Sequence, residues 1–150
     1  MKKAMVLAVP LLCVAGGFAA AWALRAPSAG PNVSSCVAWD KCEAKPMEWG
    51  ELRISHTGET FATKDLLSAY GTIKPGMEPH PPHQHAEEEF LVLVEGEGTW
   101  SLNGKEFPAK KGDVVYVAPW DMHGMKNTGT KPFVFYVAKW GSKGAQPEKK

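Results

Sequence analysis

The dipeptide Asn103-Gly104, set between Trp100-Ser101-Leu102 and Lys105-Glu106-Phe107, constrains this chain more tightly than any other local feature. A two-residue hairpin turn needs positive φ at both central positions, which Asn and Gly supply at least cost. The spacing predicts two adjacent antiparallel strands. Similar punctuation recurs along the chain. Leu52 to His56 alternates, Asp65 to Lys74 runs into a Pro75-Gly76 turn, and Phe90 to Val94 is a continuous apolar run. Val114 to Val117 and Pro132 to Trp140 each follow a Gly-containing turn. Many short strands with no helical periodicity after residue 30 predict an all-β single domain, a sandwich or a barrel.

A second pattern carries chemistry. His83-Gln84-His85-Ala86-Glu87-Glu88-Glu89 and the distant His123 together offer three imidazoles and a carboxylate. Imidazole suits Zn, Cu, Fe and Ni, and a carboxylate extends the set toward Mn. Pro79, Pro81 and Pro82 disfavour a helix just upstream. On extended chain His83, His85 and Glu89 would share a face, since side chains alternate with period two. Continuing that strand turns Leu91 and Leu93 inward with Glu89, and Phe90, Val92 and Val94 outward. Both faces are apolar, so the outer set needs a cover from amino-terminal strands or from a second subunit. On the opposing strand Met125 and Asn127 share the face of His123. His80 and His56, outside this spacing, read as surface residues.

Gly76, the HxH of His83 and His85, Glu89 and Gly96 are followed by Gly112, Pro119, His123 and Asn127. This order resembles the two sequence motifs of the cupin family. The resemblance covers about Leu67 to Trp140 and implies a small cupin-type jelly-roll barrel. It also implies that His83, His85, Glu89 and His123 bind one divalent transition metal per chain (Fe, Mn, Ni, Cu, Co or Zn). Glu89, rather than Glu87 or Glu88, has both the gap from His85 and the gap to Gly96. Two departures stand out. Gly76 is one residue further from His83 than the common spacing, and Pro119-Trp120-Asp121-Met122-His123 lacks the motif's internal glycine. Cupins commonly pair, so a homodimer is an expectation too.

The ends divide the chain into residues 1–23, 24–46, 47–140 and 141–150. Lys2 and Lys3 precede an apolar run from Ala4 to about Leu24, and Ala19, Ala21 and Ala23 offer A-x-A cleavage sites. This reads as a bacterial secretory signal peptide, with an uncleaved membrane anchor as the alternative. Either outcome predicts a periplasmic or secreted domain, because the two lysines stay inside. In an oxidising compartment Cys36 and Cys42, within the 24–46 arm, are expected to form a disulfide. Residues 47–140 read as the barrel and 141–150 as a disordered tail. A net charge of +1 gives no basic footprint for nucleic acid.

Four protein ligands leave one or two coordination positions open, the mark of a working rather than a structural site. By resemblance, the leading expectation is a metal-dependent oxidoreductase of dioxygenase type acting on a small oxygenated organic molecule. Glu89 serves there as ligand and as proton acceptor when it detaches. The alternatives are a non-catalytic module binding a sugar or organic acid, and a metal-dependent isomerase or lyase drawing on His80, Glu78 or Asp121.

Overall fold

The computed structural model describes residues 34–144 and residue 149. The segment read as a leader, residues 24–33 of the arm and residues 145–148 and 150 of the tail lie outside the described residues. Nine strands follow a short 3-10 turn at Trp39–Lys41: β1 (Glu43–Met47), β2 (Gly50–Gly58), β3 (Thr63–Ile73), β4 (Glu88–Glu95), β5 (Glu97–Leu102), β6 (Lys105–Lys110), β7 (Val114–Val117), β8 (His123–Lys126) and β9 (Phe133–Ser142). All pairings are antiparallel. A six-stranded sheet has the order β1-β2-β3-β9-β4-β7, and a three-stranded sheet the order β6-β5-β8. This is the all-β jelly roll expected.

Each predicted strand is present, and the turns form for the reasons the sequence supplies. Asn103 and Gly104 adopt φ of 48° and 78°, and β5 and β6 pair directly across them. At Pro75-Gly76 the Met77 N–H donates to the Lys74 carbonyl (3.1 Å) and Gly76 takes φ 79°. Proline followed by a positive-φ glycine is what a type II turn requires. Gly96 joins β4 to β5 at φ 92°, where a Cβ would stand 2.4 Å from the Pro132 carbonyl oxygen. Both a left-handed backbone and a close approach exclude larger residues there.

Parity holds in β4. Glu89, Leu91 and Leu93 are buried, while Phe90 and Val94 are exposed. The core gathers Ile73, Leu91, Leu93, Trp100, Val117 and Phe133 between the two sheets. The arm covers part of the outer face of the six-stranded sheet: the Trp39 ring packs edge-on against Tyr70 at 5.5 Å, and the Arg53 guanidinium sits 5.0 Å from its centroid. Further along the same face Phe90, Val94, Val114 and Tyr116 are exposed.

Two expectations need revision. The sheet starts inside the segment read as an arm, since β1 already pairs with β2 from Glu43 onward. It also runs past Trp140, to Ser142 at the end of β9. The expected Cys36–Cys42 bridge is absent, and both thiols are free. The 3-10 turn between them sets the Cys42 thiol against the Ala38 carbonyl at 3.7 Å, and Cys36 lies exposed upstream.

Asn127 ties the barrel end together. Fully buried, it donates from Nδ2 to the carbonyls of Ile73 (2.9 Å) and Lys131 (2.8 Å), and its Oδ1 accepts from the Gly129 N–H (3.0 Å). Its main chain exchanges further bonds with Met77 and Gly76. Stranding buried donors and acceptors costs about 1–3 kcal/mol each. Asn127→Ala should therefore lower stability by on the order of 2–4 kcal/mol, read as a lower urea midpoint. Asn127→Asp, similar in shape but facing an oxygen to two carbonyls, should lose at least as much; an unchanged midpoint in both would refute this role.

Candidate metal centre

The site lies where the two sheets face each other. Glu89 comes from β4 of the larger sheet and His123 opens β8 of the smaller one. His83 does not stand on a continuous strand with Glu89, as parity had predicted, because β4 begins only at Glu88. Prolines 79, 81 and 82 lack the N–H groups a ladder needs. The chain instead makes a single antiparallel bridge at His83, whose N–H donates to the His123 carbonyl (2.9 Å) while the His123 N–H donates back (2.8 Å). It then crosses to β4 through a bend that carries His85. The Trp120 N–H secures that bend by donating to the His85 carbonyl at 2.7 Å. Trp120 has φ 66°, so the turn that the family pattern builds with glycine is built here with a bulky residue in the left-handed region.

The imidazoles converge. Ring centroids of His83 and His123 are 4.4 Å apart, and those of His85 and His123 4.8 Å. One ring nitrogen from each of the three lies within 4.8 Å of the others, so this cluster could hold a metal ion. Tautomers follow from the partners. His85 Nδ1 faces the Glu87 carbonyl (3.1 Å) and His123 Nδ1 the Asp121 carbonyl (2.9 Å). A carbonyl only accepts, so each Nδ1 donates and, in the neutral ring, Nε2 keeps its lone pair. Metal-binding histidines are ordinarily oriented in this way. Those lone pairs point at Glu89, whose Oε2 lies 2.9 Å from His85 Nε2 and 3.6 Å from His123 Nε2. A carboxylate beside two such nitrogens is stabilised either by protons on the rings or by a metal cation between them. His83 Nδ1 and His123 Nε2 are also buried without a hydrogen-bond partner. The residues fit a divalent ion.

Titration behaviour agrees. Burial, then the charges of His80, His123 and His85, lower the His83 pKa to about 4, so its ring is neutral near pH 7. Burial alone would raise Glu89, but the His123 and His85 rings hold it down to about 2, so it is ionised. Both are in the form a metal needs. Burial resists a charge on His123, yet Glu89 and the Asp121 carbonyl outweigh it and its pKa rises. A proton and a metal ion therefore compete for this nitrogen.

The cluster forms one wall of a cavity of about 260 Å³. The other walls are Trp49, Leu52, Leu67, Met125, Phe135 and Val137, with His80 at the edge. Of the residues expected to wall the site, Met125 does so; Leu91 and Leu93 are buried in the core instead. Glu78 faces a separate groove with Pro82 and Ser101, and Asp121 contributes its carbonyl to His123. Strand parity within β4 could not reveal the walls from β2, β3 and β9. Lys139 was missed for the same reason.

Residues 69–139 match the family model described as Cupin domain. The fold resembles that of a predicted oxalate decarboxylase from Thermotoga maritima, with 24% identity and a TM-score of 0.59 over 71% of this chain and 98% of that one. KdgF from Halomonas sp. aligns at 20% identity and TM-score 0.59, covering 75% and 98%. A Klebsiella pneumoniae protein with a double-stranded β-helix domain gives 24% and 0.57, covering 78% and 100%. No curated protein matches the sequence significantly. Residues 69–139 thus carry a cupin domain.

The three glutamates differ in place. Glu89 faces the imidazoles, Glu88 Oε1 accepts from the Tyr116 hydroxyl at 2.7 Å, and Glu87 Oε2 lies 3.4 Å from His85 Nδ1. In Co(II) titrations Glu88→Gln should leave affinity unchanged. Glu87→Gln should weaken it by about tenfold through His85, within the range for groups that orient a ligand. Glu89→Gln should cost more than either. Equal losses from all three would mean that the acidic run acts as diffuse charge.

Proposed function

We propose that this chain is an exported cupin enzyme that holds one divalent transition metal on His83, His85, His123 and Glu89. Its activity is that of a metal-dependent oxidoreductase of dioxygenase type, acting on a small oxygenated organic molecule. The observation that carries this reading is the convergence of His85 Nε2, His123 Nε2 and Glu89 Oε2 at the wall of an apolar cavity. Ligands gathered on one side leave the cavity side open to a substrate. A redox-capable ion bound there would supply Lewis acidity and one-electron chemistry.

The chain's own groups do the rest. The Asp121 and Glu87 carbonyls hold the rings of His123 and His85 in the binding tautomer. Walls such as Leu67, Phe135 and Val137 exclude water and strengthen each charge at the site. Glu89 is placed to take a substrate proton on its carboxylate if it detaches. At about 260 Å³ the cavity falls below the roughly 300–1,000 Å³ of ordinary ligand pockets, which favours a small substrate. Export through the amino-terminal segment and pairing of two copies belong to the same proposal.

One observation favours a second reading. His80 lines the cavity with its ring 4.0 Å from that of His83, which would give an isomerase or lyase an acid or base beyond the ligands. Oxygen uptake separates the two. Protein reconstituted with Fe, Mn, Ni or Cu and given phenolic, enediol and dicarboxylate substrates should consume dioxygen in step with product. Tight binding with neither oxygen uptake nor product, in any metal form, would leave a binding module. Metal analysis should find close to one ion per chain, severely reduced by His83→Ala, His85→Ala or His123→Ala. His80→Ala should keep it.

A further inference from the structure

On β9 the inward positions run Phe133, Phe135 and Val137, all buried. The next inward position is Lys139. It lines the cavity, between its cross-strand partners Leu67 on β3 and Glu89 on β4. Parity calls for an apolar residue at such a place, and the partly exposed Lys139 puts a positive charge there that a neighbouring anion would neutralise. Glu89, directly across, does not do so. Its carboxylate turns to His85 and His123, and the Lys139 ammonium has no hydrogen bond or ion pair among the described residues.

Charge then selects the ligand. Among the described residues, Glu89 is the only carboxylate on the cavity wall. A divalent ion brings two positive charges, Lys139 adds one and Glu89 removes one, so the loaded cavity is doubly positive. Apolar walls screen this excess poorly. We propose that the cavity binds a small organic dianion, a dicarboxylate, with chelating oxygens toward the histidine cluster and a carboxylate oxygen on Lys139. A phosphate fits less well, since its additional oxygens would meet apolar walls. Lys139 is on this account the selectivity-determining residue. The inference rests on the metal-centred reading above.

The test compares wild type, Lys139→Met and Lys139→Arg, loaded with Co(II) and titrated with malonate, inorganic phosphate and neutral imidazole by visible absorption. Lys139→Met extends the apolar run of β9, and Lys139→Arg keeps the charge, so a folding defect in one does not remove the comparison. The expected result is malonate binding about tenfold weaker in Lys139→Met, largely restored in Lys139→Arg, with cobalt content and imidazole affinity unchanged. Phosphate should bind wild type more weakly than malonate. Equal malonate affinity in wild type and Lys139→Met would overturn the role of Lys139 while leaving the metal site standing. Phosphate binding more tightly than malonate would overturn the carboxylate assignment. Failure of wild type to bind cobalt would overturn the metal-centred reading. In that case benzoate titrated into the metal-free protein decides for Lys139: binding lost in Lys139→Met retains it as an anion site, and no such loss removes it.

Discussion

The reciprocal backbone exchange between His83 and His123 is the interaction on which the site depends. Each N–H donates to the other's carbonyl, so two histidines distant in sequence are fixed by main chain. Side-chain packing alone leaves rotamers to be ordered at an entropic cost, whereas a bridge sets the Cα positions first. Ring orientation follows from carbonyls already in place at Asp121 and Glu87. Glu89 then completes the cluster from the other sheet, with its strand secured between β7 and β9. The imidazole and carboxylate atoms of the cluster thus span the two sheets.

The apolar walls give this geometry its electrostatic weight. In water an exposed carboxylate and imidazole at these distances would interact weakly; behind Leu67, Met125, Phe135 and Val137 the same charges are screened far less. The depressed pKa of Glu89 expresses the balance: burial opposes its charge, and the two imidazoles outweigh burial. Lys139, on the same wall, has no matching partner among the described residues. The cavity is therefore matched within the ligand cluster and unmatched outside it.

Much of this was legible in the chain, for local reasons. Asn103-Gly104 and Pro75-Gly76 specify their turns through φ alone. The inward set of Glu89, Leu91 and Leu93 follows from the period of a strand that does form. Period two failed one step upstream, at His83 and His85, because residues 84–87 leave the extended ladder between the bridge at His83 and the start of β4. The histidines still converge, so the three-histidine cluster was readable from spacing while its route was not. The wall was not readable. Trp49, Leu52, Leu67 and Lys139 reach the cavity only because β9 inserts between β3 and β4, and strand order is a property of the whole topology. Cys36 and Cys42 show the complementary failure: pairing was inferred from an expected compartment, while a 3-10 turn sets the Cys42 thiol against its own backbone.

Trp120 connects the departure from the family motif to the site. A non-glycine residue in the left-handed region costs roughly 1–2 kcal/mol, more than chance would leave in place without compensation. The same backbone conformation aims the Trp120 N–H at the His85 carbonyl, at 2.7 Å. That bond ties the stretch carrying His85 to the turn before β8. A hydrogen bond repays on the order of 1 kcal/mol of the strain. The ring, half-buried beside the turn, supplies contacts that a glycine would lack. The left-handed turn and the placement of His85 are therefore one structural feature, and losing the motif glycine changes how His85 is held rather than which residue stands there.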